Sequence, residues 1–183
     1  MLPPSYGASL SPRSGSRYAH EMGLLGTLTT EDHAAVVSGI RAGQYSLLLG
    51  AGFSATSIGG DGAPLPTGGT LAKALAARFG HPVHYALPTL VGAIPPDDLN
   101  KYFSEQFLGC KASIGARSVT SFIWKSIYTF NIDDVLRNAY GAPGALQTPT
   151  YLHFRDQFTR LVDPESLPIV HLHGDATRPH DGY

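Results

Sequence analysis

Three consecutive leucines that stop at two glycines one residue apart constrain this chain more than any other feature: the run from Tyr45 to Ala55 reads Y-S-L-L-L-G-A-G-F-S-A. Leu47, Leu48 and Leu49 do not alternate with polar residues, which is the pattern of a short strand buried on both faces, as in a parallel sheet. Gly50 and Gly52 then let the backbone turn sharply and let another group approach bare peptide N–H donors, a geometry suited to phosphate or ribose oxygens. With Ala55 the spacing is G-x-G-x-x-A, a permitted form of the dinucleotide fingerprint. The usual fingerprint carries an acidic residue about 20 positions further on. Here no Asp or Glu stands between Asp61 and Asp97, and a second glycine-rich segment, residues 59 to 69, follows instead. A classical dehydrogenase is therefore disfavoured, and the plain alternative is an ordinary strand-to-loop turn.

The chain around this run reads as one α/β domain. Its 183 residues, 43% of them hydrophobic, can bury a real core, and a formal net charge of −1 gives no electrostatic footprint for nucleic acid or an anionic membrane. No apolar stretch is long enough to span a bilayer. The single cysteine, Cys110, excludes an intrachain disulfide and a four-cysteine zinc ribbon, fits a cytoplasmic location, and reads as an inert packed thiol. Residues 1–22, rich in Pro, Ser and Gly, read as a flexible leader to a domain over 23–183. Thr29 to Asp32 resembles a capping box before an apolar stripe of Ala34, Val36, Val37 and Ile40. Thr70 is placed to cap a helix closed by Gly80, and Pro95-Pro96-Asp97-Asp98 opens another, with Leu99, Tyr102, Phe103 and Phe107 as its buried side. A further helix is expected over Ser118–Lys125, and an amphipathic segment of Tyr151, Phe154, Phe158 and Leu161 between Pro149 and Pro164.

Two more apolar runs end as abruptly as the first. Ser126 to Phe130 reads as a strand that meets Asn131, Ile132, Asp133 and Asp134 before a helix of Val135, Leu136, Ala139 and Tyr140; the acidic pair can cap that helix, and for Asp134 capping is the preferred reading. Ile169 to Leu172 reads as a third strand, ending at His173 and Gly174. Strands separated by helices imply a parallel sheet, whose ligands bind beyond the carboxyl ends of the strands. That rule gathers residues 50–54, Asn131, Asp133 and His173 at one edge. A competing reading takes His171, His173 and Asp175, spaced by two, as ligands of a divalent ion on one face of an extended strand. Gly174 breaks the strand before Asp175, and His171 reads better as a core histidine bonded to backbone.

Taken together, G-A-G-F-S at 50–54, T-F-N-I-D at 129–133 and L-H-G at 172–174 resemble the three successive signature motifs of the sirtuin family, over residues 44 to 175. The resemblance implies a Rossmann-like parallel sheet flanked by helices, with a smaller inserted module, and NAD as the bound nucleotide. It would place Gly50, Ala51, Gly52, Phe53 and Ser54 against the NAD phosphates and ribose, Asn131 and Asp133 at the nicotinamide ribose, and His173 as the catalytic histidine. Phe130 stands where protein deacylases of the family carry Gln, A-P-L-P-T-G-G at 63–69 replaces their G-I-P-D-F-R segment, and their four zinc cysteines are absent. What remains is similar to the divergent bacterial sirtuin-like domains that hydrolyse NAD in antiphage defence, without a metal. Those domains work as oligomers or with a sensor: an Argonaute-related protein, an ATPase or a nucleotide-sensing domain.

The chemistry fits so sparse a site. Nicotinamide leaves NAD as a neutral molecule, so the leaving group needs no general acid. Catalysis has to stabilise an oxocarbenium-like ribose and deliver water: His173 would be the base on a ribose hydroxyl or the water, Asn131 would orient the ribose or water, and Asp133 would offer negative charge or fix Asn131. The alternatives are a module that binds NAD or ADP-ribose without cleaving it, and an NAD-dependent deacylase. Sirtuin-like folds continue past the His-Gly motif with strands that complete the adenosine side, so the fold is expected to be incomplete at its C-terminus.

Overall fold

The central sheet has four strands, all parallel, in the order β1-β2-β4-β3: β1 is Ser46–Leu49, β2 Ser126–Thr129, β3 Thr148–His153 and β4 Ser166–His171. The computed structural model describes residues 29–156 and 166–181, and its contacts divide the chain into two units, Met1–Ser38 and Gly39–Tyr183. The first unit is described only from Thr29, whose side chain accepts from the Asp32 amide while both Thr29 donors reach the Asp32 carboxylate, the reciprocal capping read from the sequence. This caps helix α1, Thr30–Arg41, in which Val37 is 46% exposed rather than part of a buried stripe. The expected leader and its boundary at residue 22, together with Phe158, Leu161 and Pro164, lie outside the described residues. Among the described residues no helix is long and apolar enough to cross a membrane.

Between β1 and β2 the second unit builds helices α2 (Ala51–Ser54), α3 (Gly68–Phe79), α4 (Leu87–Ala93), α5 (Pro96–Phe107) and α6 (Ile114–Ser118). Helix α7, Val135–Tyr140, follows β2 as the sequence spacing predicts. Two cores result. Leu75, Leu90, Phe103 and Phe107 from α3 to α5 pack with Ala116 of α6 and Val135 of α7, whereas Ile127, Leu167 and Ile169 of the sheet pack beneath Leu136 and Tyr140. Phe53 borders both, so the short α2 turn is pinned where helical layer and sheet meet.

Several expectations are corrected. β1 is not buried on both faces: it is an edge strand among the described residues, and Leu48 is 63% exposed. The amphipathic reading of Tyr151 and Phe154 missed β3, because Pro149 argues against a strand; it is accommodated because β3 is the opposite edge. Pro168 falls inside β4, one residue before the ladder with β2 begins at Ile127–Ile169, so its missing N–H interrupts no pairing with β2. No helix covers Ser118–Lys125; α6 runs through Ser118 into a single 3-10 turn, Val119–Ser121, leaving Phe122 and Ile123 partly exposed. Helix α3 starts two residues before Thr70, whose hydroxyl instead bonds back to the Thr67 carbonyl.

Candidate functional site

The three polar strand ends converge as the parallel topology requires. β1 and β2 are in register from Ser46–Ser126 to Leu49–Thr129, and β2 and β4 end together at Thr129–His171, so residues 50–54, 130–133 and 172–174 leave the sheet at one edge. Past that edge lies a cleft of about 650 Å³, lined on the sheet side by Ala51, Ser54, Phe130, Asn131, Asp133 and His173. Its other wall comes from the helical layer: Leu71 of α3, Leu87 and Val91 of α4, and Phe103 and Phe107 of α5. Sequence reasoning assigned these helices no chemistry. Their only sequence signal was position, between the glycine turn at 50–54 and the polar strand end at 131–133.

At the floor, three side chains from two segments form a hydrogen-bonded chain. Asn131 Nδ2 donates to Ser54 Oγ (2.8 Å), and Ser54 Oγ donates to Asp133 Oδ1 (3.1 Å). All three are buried, and Asp133 also accepts from the Val135 amide at the start of α7. So Asp133 caps α7 and faces the cleft with one carboxylate. Burial pushes its carboxyl up to about 6, against the opposing pull of the Val135 and Ser54 donors. Asp134, the preferred cap from sequence, does something else. Its carboxylate accepts from the Gly109 and Cys110 amides (2.7 and 2.9 Å), tying the turn after α5 to the start of α7. Cys110 is fully buried, and burial drives its thiol well above its ordinary range, the inert state expected of it.

His173 lies on the exposed side of the cleft with its ring 4.8 Å from that of Phe130, which is itself 42% exposed. His171 and Asp175, the other members of the metal reading, do not join it there. His171 is 1% exposed and directs Nδ1 to the Asn131 carbonyl, while Asp175 is tied to Arg137 (2.6 Å) and to Thr177. Among the described residues no group of three His, Cys, Asp or Glu side chains is arranged to hold a metal ion.

At Gly59 and Gly60 a Cβ would stand 2.7 Å from the Gln106 and 1.9 Å from the Leu108 carbonyl oxygen, so the start of the second glycine-rich segment is small because it packs against the end of α5. At Gly50 and Gly52 a Cβ would meet no atom of the described residues within 4 Å, and neither has a positive φ. The sharp turn read from the sequence is made by the onset of α2, and the fold itself does not require glycine at either position. The space beside them is open for another molecule. Comparison with protein-family models and with curated proteins gave no match.

Proposed function

We propose that this protein is a sirtuin-like NAD hydrolase, cleaving the nicotinamide–ribose bond to give nicotinamide, ADP-ribose and a proton. The observation that carries the reading is that residues of all three signature motifs line one cleft, and that Ser54, Asn131 and Asp133 are already hydrogen-bonded to one another there. The cleft also suits the substrate. Its apolar wall can take a flat ring, its polar floor can take ribose hydroxyls, and the open space at Gly50 and Gly52 leaves room for the rest of the dinucleotide at the rim.

Each residue then has a task. His173, on the open side of the cleft, accepts the proton of a ribose hydroxyl or of the attacking water. Asn131 orients the ribose and is itself aligned by Ser54, and Asp133 holds negative charge beside the carbon that becomes electron-poor as nicotinamide departs. The peptide groups of residues 50–54 line the path of the diphosphate. By the same resemblance, the biological setting is depletion of cellular NAD in antiphage defence, in an oligomer or alongside a sensor protein.

The test is incubation of the protein with NAD, alone and with candidate activators, followed by chromatography for nicotinamide and ADP-ribose. Turnover without any acylated peptide is expected, with His173→Ala and Asn131→Ala each lowering it at least 100-fold, and His173→Ala doing so at unchanged melting temperature. Turnover that persists in both variants would refute the assignment. NAD or ADP-ribose binding without turnover would replace it with a sensing module, and turnover that depends on an acylated peptide would replace it with a deacylase.

A further inference from the structure

Asn131 and His173 sit on different strands, and their relative placement depends on how the two strand ends are joined. The Asn131 peptide is held from both sides: its N–H donates to Thr129 Oγ1 (3.0 Å), and its carbonyl lies 3.1 Å from Nδ1 of His171. The next carbonyl, of Ile132, accepts from the Ala176 amide (2.8 Å). His171 is therefore the side chain that connects the Asn131 loop to the strand delivering His173 two residues later. It occupies the last rung of the sheet, paired with Thr129 on β2 and His153 on β3.

The chemistry of this contact fixes the state of the ring. A backbone carbonyl only accepts, so this hydrogen bond requires the proton on Nδ1, and in the neutral ring that leaves Nε2 bare. Among the described residues Nε2 is buried without a hydrogen-bond partner at normal distance, and it lies 4.0 Å from Asp175 Oδ2. Asp175 does not need that proton. It is satisfied by Arg137 of α7, whose guanidinium also sits 3.8 Å from the Tyr151 ring centroid, and by Thr177. The charged and aromatic groups facing His171 are thus Asp175 just past the end of β4, Arg137 on α7 and Tyr151 on β3, together with the backbone of Asn131 and Gly174. Burial outweighs the carboxylate and holds the imidazole below its ordinary range, in the neutral form.

We infer that His171 is a positioning residue for the reaction proposed above: through Nδ1–H it clamps the Asn131 carbonyl and so fixes Asn131 relative to His173. The inference rests on the NAD hydrolase reading, and the test separates the two. In His171→Asn the amide Nδ2–H can reproduce the Nδ1 donor, whereas in His171→Gln the donor lies one bond further out; both remove similar packing. His171→Asn is expected to retain kcat within about threefold, and His171→Gln to lose 10- to 100-fold in kcat with KM changed less than threefold. Equal kcat losses in the two variants, or a loss confined to KM, would overturn the inference. A readout independent of turnover accompanies this: imidazole nitrogen shifts of His171 by NMR are expected to report the Nδ1–H tautomer, and an Nε2–H tautomer would overturn it even in a fully active protein. If the parent does not hydrolyse NAD, the functional reading fails. The clamp is then decided by the tautomer and by whether the Asn131 side-chain amide resonances shift in His171→Gln and stay in place in His171→Asn.

Discussion

Asp133 is held in the cleft floor at a cost to the fold. Its native carboxyl binds a proton more tightly than it does in the unfolded chain, about 6 against 3.8, so stability is greatest when the group is protonated in both states and falls as pH rises through 6. The difference is worth about 3 kcal/mol above pH 6. Asp133→Asn keeps an oxygen to accept from Ser54 and Val135 but removes the buried charge. Chemical denaturation at pH 7 should find the variant more stable than the parent by about 2 kcal/mol, with the gain shrinking toward zero by pH 4. On the proposed mechanism NAD turnover should be lost in the same variant, because that mechanism places a carboxylate beside the ribose; in the parent, turnover should decline as pH falls through about 6. Gly52 makes the complementary case. Its Cβ position is empty and its backbone helical, so Gly52→Ala should leave the melting temperature unchanged or raised, by at most about 1 kcal/mol, while raising the KM for NAD about tenfold. An unchanged KM would show that the open space is not used, and a lowered melting temperature that the added methyl meets a neighbour.

At the scale of elements, Asp134 ties the turn after α5 to the start of α7 rather than capping its own helix. Its two amide contacts bind the turn at Gly109, which has a φ of 72°, to the start of α7. Asp134→Ala leaves both amides without their acceptor and should cost about 2 kcal/mol in denaturation experiments, with a matching loss of hydrogen-exchange protection at Gly109 and Cys110. This role was not legible in the sequence, because an acidic residue just before an apolar helix looks the same whether it serves its own helix or a turn 24 residues earlier. What was legible followed local rules. The capping box at Thr29, the Pro-Pro-Asp-Asp start of α5 and the spacing of α7 all depend on neighbours within a turn or two. The strand ends bearing residues 50–54, 131–133 and 173 were legible because parallel topology forces polar ends to one edge. Exposure of Leu48 and the strand character of Thr148–His153 depend on sheet order, which the sequence does not display. The apolar wall of the cleft was hidden for a related reason: Phe103 and Phe107 serve as core and as cleft lining at once, and a core periodicity predicts only the first.

Across the molecule, the site is made by contacts between residues far apart along the chain. Ser54 meets Asn131 and Asp133 across 77 and 79 positions, and β1 pairs with β2 across 80. β3 and β4, by contrast, pair residues 18 apart. Closing the longer loops costs more chain entropy before any contact repays it, which makes parallel pairing of this kind intrinsically slow. In the β1-β2-β4-β3 arrangement, β3 and β4 close the shorter loop, whereas β1 meets β2 only across the whole helical layer. A nascent chain that has emerged only as far as Phe107 carries the glycine loop and most of the apolar wall, yet has neither Asn131, Asp133 nor His173 to act with. The arrangement of strands thus leaves the floor of the cleft unmade until the segments on either side of the helical layer have met.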